Sequence, residues 1–114
     1  MKIILLGYNS FVAKAISKHF ESRTDVELIY VGRKIASEHK VFTFEVANNE
    51  EVLKHNITSL FTQLNLGGDC VVINCISMSD VDRCEVEQEE CRFQNFLFVK
   101  FLYQALRSLS LIHI

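Results

Sequence analysis

The chain has 114 residues, of which 49% are hydrophobic and 23% are charged, and its formal net charge at pH 7 is −2. This length is enough for one domain with one core, and the balance of apolar and charged residues is typical of a globular protein. The absence of a basic excess argues against nucleic-acid binding, and the short apolar runs exclude a transmembrane helix and do not fit a signal peptide, so we expect a cytoplasmic protein.

The first half of the chain alternates short apolar runs with one helical pattern. Lys2–Leu6 is an apolar run that stops at Gly7, which favours a buried strand. β-Branched and aromatic residues predict a second strand over 26–31 and a third, weaker strand over 41–46. Between the first two strands, the apolar face of a predicted helix contains Val12, Ala15, Ile16, His19 and Phe20.

The second half repeats this alternation. Asn48 and Glu51 have the spacing of a capping box, and Gly67-Gly68 would close the helix that they begin. The run CVVINC over 70–75 is typical of a parallel strand buried on both faces. A polar segment then leads into a helix, and residues 109–114 predict a fifth strand. The predicted buried stripe of that helix is Phe98, Val99, Leu102, Tyr103 and Leu106.

The order of these elements indicates an α/β fold. Strands that alternate with helices form right-handed crossovers and a parallel sheet. We therefore predict a Rossmann-type, doubly wound parallel sheet of five strands in the order 3-2-1-4-5, with helices on both faces. Because the chain ends within the predicted fifth strand, we expect residues 1–114 to be a half-domain, truncated after that strand.

The four cysteines are Cys70, Cys75, Cys84 and Cys91. They form no C-x-x-C pair and have no histidine at metal-ligand spacing, which does not favour a zinc site. Cys70 and Cys75 fall within the apolar run of the fourth strand, and we predict that both are small core residues.

In an open parallel sheet, ligands bind beyond the carboxyl ends of the strands, where the strand order reverses. Here that point lies between strands one and four, and the first loop there reads G-x-x-S-x-x-A over residues 7–13. Small residues and the free N–H groups of a helix start can hold a pyrophosphate, although a plain strand–helix turn that needs Gly7 for its backbone explains the motif equally well. The predicted phosphate-binding residues are Gly7, Asn9, Ser10, Phe11 and Val12.

Two basic residues, Arg33 and Lys34, follow the second strand. Dinucleotide folds contact the adenosine ribose at this place, where an acid binds the 2′-hydroxyl of NAD and an arginine accommodates the 2′-phosphate of NADP. Since no acid is present, we predict NADP(H) as the cofactor and rank NAD(H) below it. The alternative is a solvated pair of surface charges.

The most specific motif spans the fourth strand and the segment after it: V-I-N over 72–74 is followed seven residues later by V-D-x-x-E over 81–85. With the loop over 7–13, this block resembles the extended short-chain dehydrogenase/reductase superfamily, and within it the dTDP-4-dehydrorhamnose reductase group. The resemblance runs along the whole chain. It departs from the family pattern at Ser10 and Ala13, which replace glycines, and at Ile76, which replaces a small residue.

The resemblance implies further site residues. Glu45 and Val46 would lie at the adenine, and Asn95, on the core-facing side of its helix, would support the site. The family's catalytic serine or threonine and its Tyr-x-x-x-Lys pair would follow Ile114, so we assign no catalytic residue within 1–114. The segment expected to line the cofactor beyond strand four is Asn74, Cys75, Ile76 and Ser77.

Two functions remain open at this point. One is the NADP(H)-binding part of a reductase that acts on the keto group of a nucleotide sugar, its substrate site being supplied by a missing half. The other is a non-catalytic nucleotide-binding or regulatory protein of the same fold, which the replaced glycines and Ile76 favour. A Rossmann-like domain without a nucleotide is a third reading, and a homo-oligomer is compatible with all three. The coding sequence beyond Ile114 would discriminate between the first two.

Overall fold

The computed structural model describes residues 1–33, 40–66, 69–78 and 80–108, together with the backbone of 112–113. The predicted site residue Lys34 and the predicted helix stop Gly67-Gly68 lie outside the described residues. Four parallel strands form the body of the sheet, in the spatial order β3-β2-β1-β4, which agrees with that part of the predicted order. They are β1 (Lys2–Leu6), β2 (Glu27–Gly32), β3 (Val41–Thr43) and β4 (Cys70–Asn74).

The third strand is shorter than the sequence indicated, since the strand predicted over 41–46 ends at Thr43. Of the strand predicted over 109–114, the structure describes Ile112–His113 as β5, and the other four positions lie outside the described residues. These two residues pair in parallel with Val71 and Val72 on the outer side of β4.

Within the described part of the chain, five α-helices and one π-helical turn connect the strands. The chain runs from α4 through the π-helical turn into α5 without leaving helical backbone conformation, since Arg92, Phe93 and Phe98 all have right-handed helical angles. The elements are α1 (Phe11–Phe20), α2 (Glu50–Leu64), α3 (Val81–Val86), α4 (Gln88–Arg92), the π-helical turn (Phe93–Leu97) and α5 (Phe98–Ser108).

An asparagine defines each end of α2, Asn49 at the start and Asn65 after the last residue. The helix begins one residue later than predicted, because the side chain of Asn49 rather than Asn48 caps it by accepting the N–H of Val52 at 3.1 Å. It ends at Asn65, whose left-handed backbone (φ 47°) performs the role predicted for the two glycines.

The main core lies between the sheet and the pair α2 and α5. Ile4 and Leu6 of β1 point to this face, and the predicted core residue Cys70 lies in the same cluster, 4% exposed. The helical side chains that fill it are Leu53, Ile57, Leu60, Phe61 and Leu64 from α2 and Phe98, Phe101, Leu102 and Leu106 from α5.

Helix α1 covers the alternate face of the sheet with small residues. Ala13 and Ser17 are buried, and the predicted Ile16 and Phe20 are partly buried. The predicted apolar face was wrong at Val12, Ala15 and His19, which are exposed. Small side chains let the helix lie close to the strands. The hydroxyl of Ser17 lies 3.1 Å from that of Tyr30 in β2, which satisfies a polar group at this contact.

The buried stripe of α5 is also rotated from the prediction. Val99 and Tyr103 are 37% and 51% exposed, while Phe101, which was not predicted to be buried, is 4% exposed. The buried residues Phe98, Phe101, Leu102 and Leu106 have the i, i+3, i+4, i+8 spacing of a regular α-helix, so they form one face of α5 that is rotated from the predicted one.

Phe98 offers a test of this core. We expect Phe98→Ala to lower the free energy of unfolding by about 3–5 kcal/mol, because the fully buried ring leaves a cavity between α5 and the sheet. Phe96→Ala is the matched control, since that ring is 56% exposed and its loss should cost far less. Urea denaturation measures both variants, and equal costs would contradict the described packing.

Candidate functional site

The turn after β1 is held by hydrogen bonds to β2. The N–H groups of Gly7 and Tyr8 both donate to the carbonyl of Val31, at 2.8 and 3.1 Å, and the carbonyl of Gly7 accepts the N–H of Ser10 at 3.0 Å. Gly7 has φ +76°, which side-chain-bearing residues rarely adopt. The glycine is therefore required by the backbone of the turn.

Ser10 sets the start of α1. Its hydroxyl accepts the N–H of Ala13 at 3.2 Å, so the serine that replaces a motif glycine acts as the helix cap. The N–H groups of Phe11 and Val12 lie in the same first turn, where an α-helix provides no internal acceptor. This end of the helix carries a partial positive charge that favours an anion.

A cavity of about 350 Å³ opens beyond the carboxyl ends of β1, β2 and β4, at the point where the strand order reverses. Nine of the predicted site residues line it, from four separate loops. They are Gly7, Asn9, Ser10, Arg33, Glu45, Val46, Cys75, Ile76 and Ser77.

Four predicted site residues in the described part do not line the cavity: Phe11, Val12, Asn74 and Asn95. The side chains of Phe11 and Val12 are 89% and 58% exposed on α1, although their backbone lies at the helix start. Asn74 acts one step away, since its side-chain carbonyl accepts the N–H of Ile76 at 2.9 Å and so shapes the loop that does line the cavity.

Sequence reasoning missed six lining residues: Tyr8, Gly32, Phe44, Asn48, Glu90 and Gln94. Gly32 had a detectable signal, because a glycine at a strand end often permits a close approach. A Cβ added there would lie 2.7 Å from two ring atoms of Tyr8, whose ring therefore lies against the end of β2. No sequence signal placed Glu90 or Gln94, since they approach from helices that the chain forms after β4.

Arg33 is exposed and also lines a second cavity of about 340 Å³, between the end of β3 and helix α2. The two cavities share Arg33, Phe44 and Glu45. A guanidinium at this junction is suited to a phosphate group, and its geometry allows two parallel hydrogen bonds.

Cys75 brings a thiol to the cavity. Burial raises the pKa of Cys75, and a hydrogen bond with the Ser10 hydroxyl offsets part of that effect. The thiol is therefore protonated at neutral pH and is not an activated nucleophile. The residue is only partly buried, so the prediction of a core cysteine is not met here.

Asn95 joins the helix after β4 to the loop that follows the strand. Its side-chain carbonyl accepts the N–H of Met78 at 2.7 Å, and its amide donates to the Met78 carbonyl at 2.9 Å. Asn95 itself is exposed, so the expectation that it faces the core is wrong, but its side chain does reach the end of the β4 loop.

A disulfide connects Cys84 of α3 to Cys91 of α4, with their Cα atoms 5.2 Å apart. The amide nitrogen of Asn95 lies 3.4 Å from the sulfur of Cys91. The spacing of the four cysteines did not predict this pair, because α3 and the turn into α4 had been read as a polar segment.

Arg83 forms two ion pairs on the polar surface of α3 and α4. Arg83 donates to Glu87 at 2.6 Å and to Glu90 at 3.0 Å, and its guanidinium lowers the pKa of the Glu87 carboxyl. Glu90 also accepts from Gln94 at 3.3 Å. The carboxylate that Glu90 presents near the cavity is thus partly neutralised.

Comparison with known proteins gave structural matches alone: no protein-family model and no curated protein sequence matches the chain. A dTDP-4-dehydrorhamnose reductase from Clostridium acetobutylicum matches with a TM-score of 0.68 and 22% identity, over 99% of this chain and 34% of that one. A hypothetical dTDP-4-dehydrorhamnose reductase from Sulfolobus tokodaii matches with a TM-score of 0.70 and 19% identity, over 99% and 38%. The protein lin1944 from Listeria innocua matches with a TM-score of 0.68 and 16% identity, over 97% and 50%.

At these identities the likeness establishes the fold: an α/β unit with a parallel sheet flanked by helices, as in sugar-nucleotide reductases of known structure. The chain spans about a third to a half of the length of these neighbours. Among the described residues, no helix has the length and apolar character to cross a membrane. The same part of the chain holds no group of three or more His, Cys, Asp or Glu side chains placed to bind a metal ion.

Gly7 provides a test of the first turn. We expect Gly7→Ala to lower the free energy of unfolding by about 1–2 kcal/mol for the positive φ alone. The added Cβ would also lie 3.1 Å from the backbone of Cys75. Asn9→Ala is the control, because Asn9 is an exposed residue of the same turn. A Gly7→Ala protein as stable as the Asn9→Ala protein in urea denaturation would contradict this account.

Proposed function

We propose that the chain is the NADP(H)-binding part of a short-chain-type reductase that acts on the keto group of a nucleotide sugar. The observation that carries this proposal is the cavity at the strand-order reversal, lined at once by the turn over 7–10, by Arg33 and by the loop over 75–77. Parallel sheets of this topology bind dinucleotides at this place. The fold shared with two dTDP-4-dehydrorhamnose reductases supports the substrate class.

The residues present fit a dinucleotide. The turn at Gly7 has no room for a Cβ and exposes the N–H groups of the first turn of α1, which suits a pyrophosphate. Arg33 would bind the 2′-phosphate of the adenosine half, Glu45 and Val46 would lie beside the adenine, and residues 74–77 would line the nicotinamide half. When bound, the reduced cofactor supplies a hydride for the carbonyl carbon of the substrate.

The second candidate is a nucleotide-binding or regulatory protein that performs no reduction. Ile76 favours it, because this branched side chain lines the cavity where the resemblance calls for a small residue, and its Cγ1 would lie 3.1 Å from a Cβ at Gly7. Both candidates bind the cofactor and differ in turnover. We propose the cytoplasm as the location for either one.

The proposed preference for NADPH over NADH depends on Arg33. We expect Arg33→Ala to weaken NADPH binding by about 1–3 kcal/mol, the range for loss of a charge-assisted hydrogen bond, and to leave NADH binding nearly unchanged. Isothermal titration calorimetry with each nucleotide measures the effect. Arg107→Ala, on an exposed position of α5, is the control for a general change in net charge. Equal losses for NADPH and NADH would show that Arg33 does not bind the 2′-phosphate.

We also expect residues 1–114 to bind NADPH without oxidising it. Hydride transfer leaves a charged oxygen on the substrate, and a positioned acid contributes about 10²–10⁴-fold to such a step. Tyr30 and Lys34 have Tyr-x-x-x-Lys spacing, but Tyr30 lies in β2, outside the cavity lining, with its hydroxyl 3.1 Å from that of Ser17. Tyr103 is exposed on α5, and Tyr8 lies in the phosphate turn.

The measurement is NADPH oxidation at high protein concentration with a 4-keto nucleotide sugar. Substrate-dependent turnover that disappears in Tyr8→Phe but persists in Tyr103→Phe would contradict the expectation. It would place the proton donor in the first turn.

A further inference from the structure

Residues 80–92, here called the α3–α4 arm, lie beside the cavity and contribute Glu90 to its lining. Neither α3 nor α4 has a buried side chain. The ion pairs of Arg83 lie at the surface, where such pairs contribute little to stability. Helix α4 is anchored at its end, because it continues into the π-helical turn, where Phe93 is buried, whereas α3 has no such anchor in the core.

Two further links stabilise the α3–α4 arm. The first is the disulfide between Cys84 and Cys91, which closes the corner between the two helices. The second is the pair of hydrogen bonds from Asn95 to the backbone of Met78, which ties the helix to the loop after β4. The links are in contact, since the amide of Asn95 is 3.4 Å from the Cys91 sulfur and the Cys84 sulfur is 3.6 Å from the Met78 carbonyl oxygen.

These links position two residues of the cavity. Glu90 is the neighbour of Cys91 in sequence, and Gln94 is the neighbour of Asn95; both line the cavity opposite the turn over 7–10. A change in the Cys84–Cys91 disulfide therefore affects the positions of Glu90 and Gln94, the two cavity residues beside these links.

We propose that the Cys84–Cys91 pair is a redox-dependent clamp on the cofactor cavity: oxidised, it holds the α3–α4 arm in the binding position, and reduction by a dithiol lowers the affinity for NADPH. This inference rests on the proposed function. In the step, the dithiol gives two electrons and two protons to the sulfurs of Cys84 and Cys91. The S–S bond of the chain breaks, two thiols form, and the reagent closes its own disulfide.

The expected loss of NADPH affinity on reduction follows from the conformations that the oxidised and reduced proteins can adopt. A crosslink restricts the corner between α3 and α4 to a small set of arrangements, and its loss lets α3, which has no buried side chain, adopt others. The apparent dissociation constant rises in inverse proportion to the fraction of molecules in the competent arrangement. A fall of that fraction to about 0.1–0.3 raises the dissociation constant roughly three- to tenfold.

The sulfurs can take part in such exchange. Cys84 and Cys91 are both partly exposed, so a small dithiol can reach them, whereas Cys70 is 4% exposed in β4. In the cytoplasm that we propose, disulfides are typically transient and serve catalysis or redox sensing. A clamp that opens and closes fits that setting better than a permanent crosslink.

The experiment compares air-oxidised and dithiothreitol-reduced protein of residues 1–114. Thiol counting under denaturing conditions should find two free thiols before reduction and four after it. Fluorescence titration with NADPH should give a dissociation constant roughly three- to tenfold higher after reduction. Hydrogen exchange without ligand should be faster over 80–95 after reduction and unchanged over β1.

Two variants isolate the pair. Cys84→Ser/Cys91→Ser should bind NADPH like the reduced protein and should not respond to dithiothreitol. Cys70→Ala should keep the full response, because that thiol belongs to the core cluster.

Each outcome is decisive. Four free thiols in the oxidised protein, equal NADPH affinity in both states, or a dithiothreitol response that survives in Cys84→Ser/Cys91→Ser would overturn the clamp. No NADPH binding in either state, together with the difference in hydrogen exchange, would reject the proposed cofactor while retaining the redox-dependent arm.

Discussion

The site depends on the position of β1 between two parallel partners. Ile4 lies opposite Ile29 on one side and Val72 on the other, so β1 hydrogen-bonds along its length to both β2 and β4. The connections that leave these strands turn to opposite faces of the sheet, and a crevice opens where they part. The turn at Gly7 has room only because its backbone bonds to Val31 and its missing Cβ lets Cys75 pass at close range.

The two walls of the cavity differ in how they are fixed. The wall formed by the β1 turn and the ends of β2 and β4 belongs to the sheet, whose side chains are buried from Ile3 to Leu6. On the other side, Glu90 and Gln94 reach the cavity from α4 and the π-helical turn, next to the Cys84–Cys91 disulfide and to Asn95. No side chain of α3 or α4 is buried, so the core stabilises this side less than it stabilises the sheet.

Much of the fold could be predicted from the sequence, because strand and helix patterns are local. The run Lys2–Leu6 was predicted at its observed bounds, and the order of the four main strands follows from their alternation with helices. The buried faces of the helices were predicted less well. The helix α1 packs through Ala13 and Ser17 rather than through its larger side chains, and α5 buries Phe101 in place of Val99 and Tyr103. In α5 hydrophobic spacing is compatible with either face, because apolar residues lie on both sides of Phe98 and Leu102, and packing against α2 and the sheet selects one.

The sequence by itself determined which loops meet. The strand order brings the turn at Gly7, the basic residue Arg33 and the segment over 75–77 to one edge of a parallel sheet, and nine predicted residues line one cavity there. Only the tertiary structure decided what closes that cavity. Glu90, Gln94 and the Cys84–Cys91 pair come together through the corner between two short helices, a long-range geometry that no periodicity encodes. Strand order follows from local patterns along the chain, whereas the corner depends on contacts between side chains that only the folded backbone brings within reach.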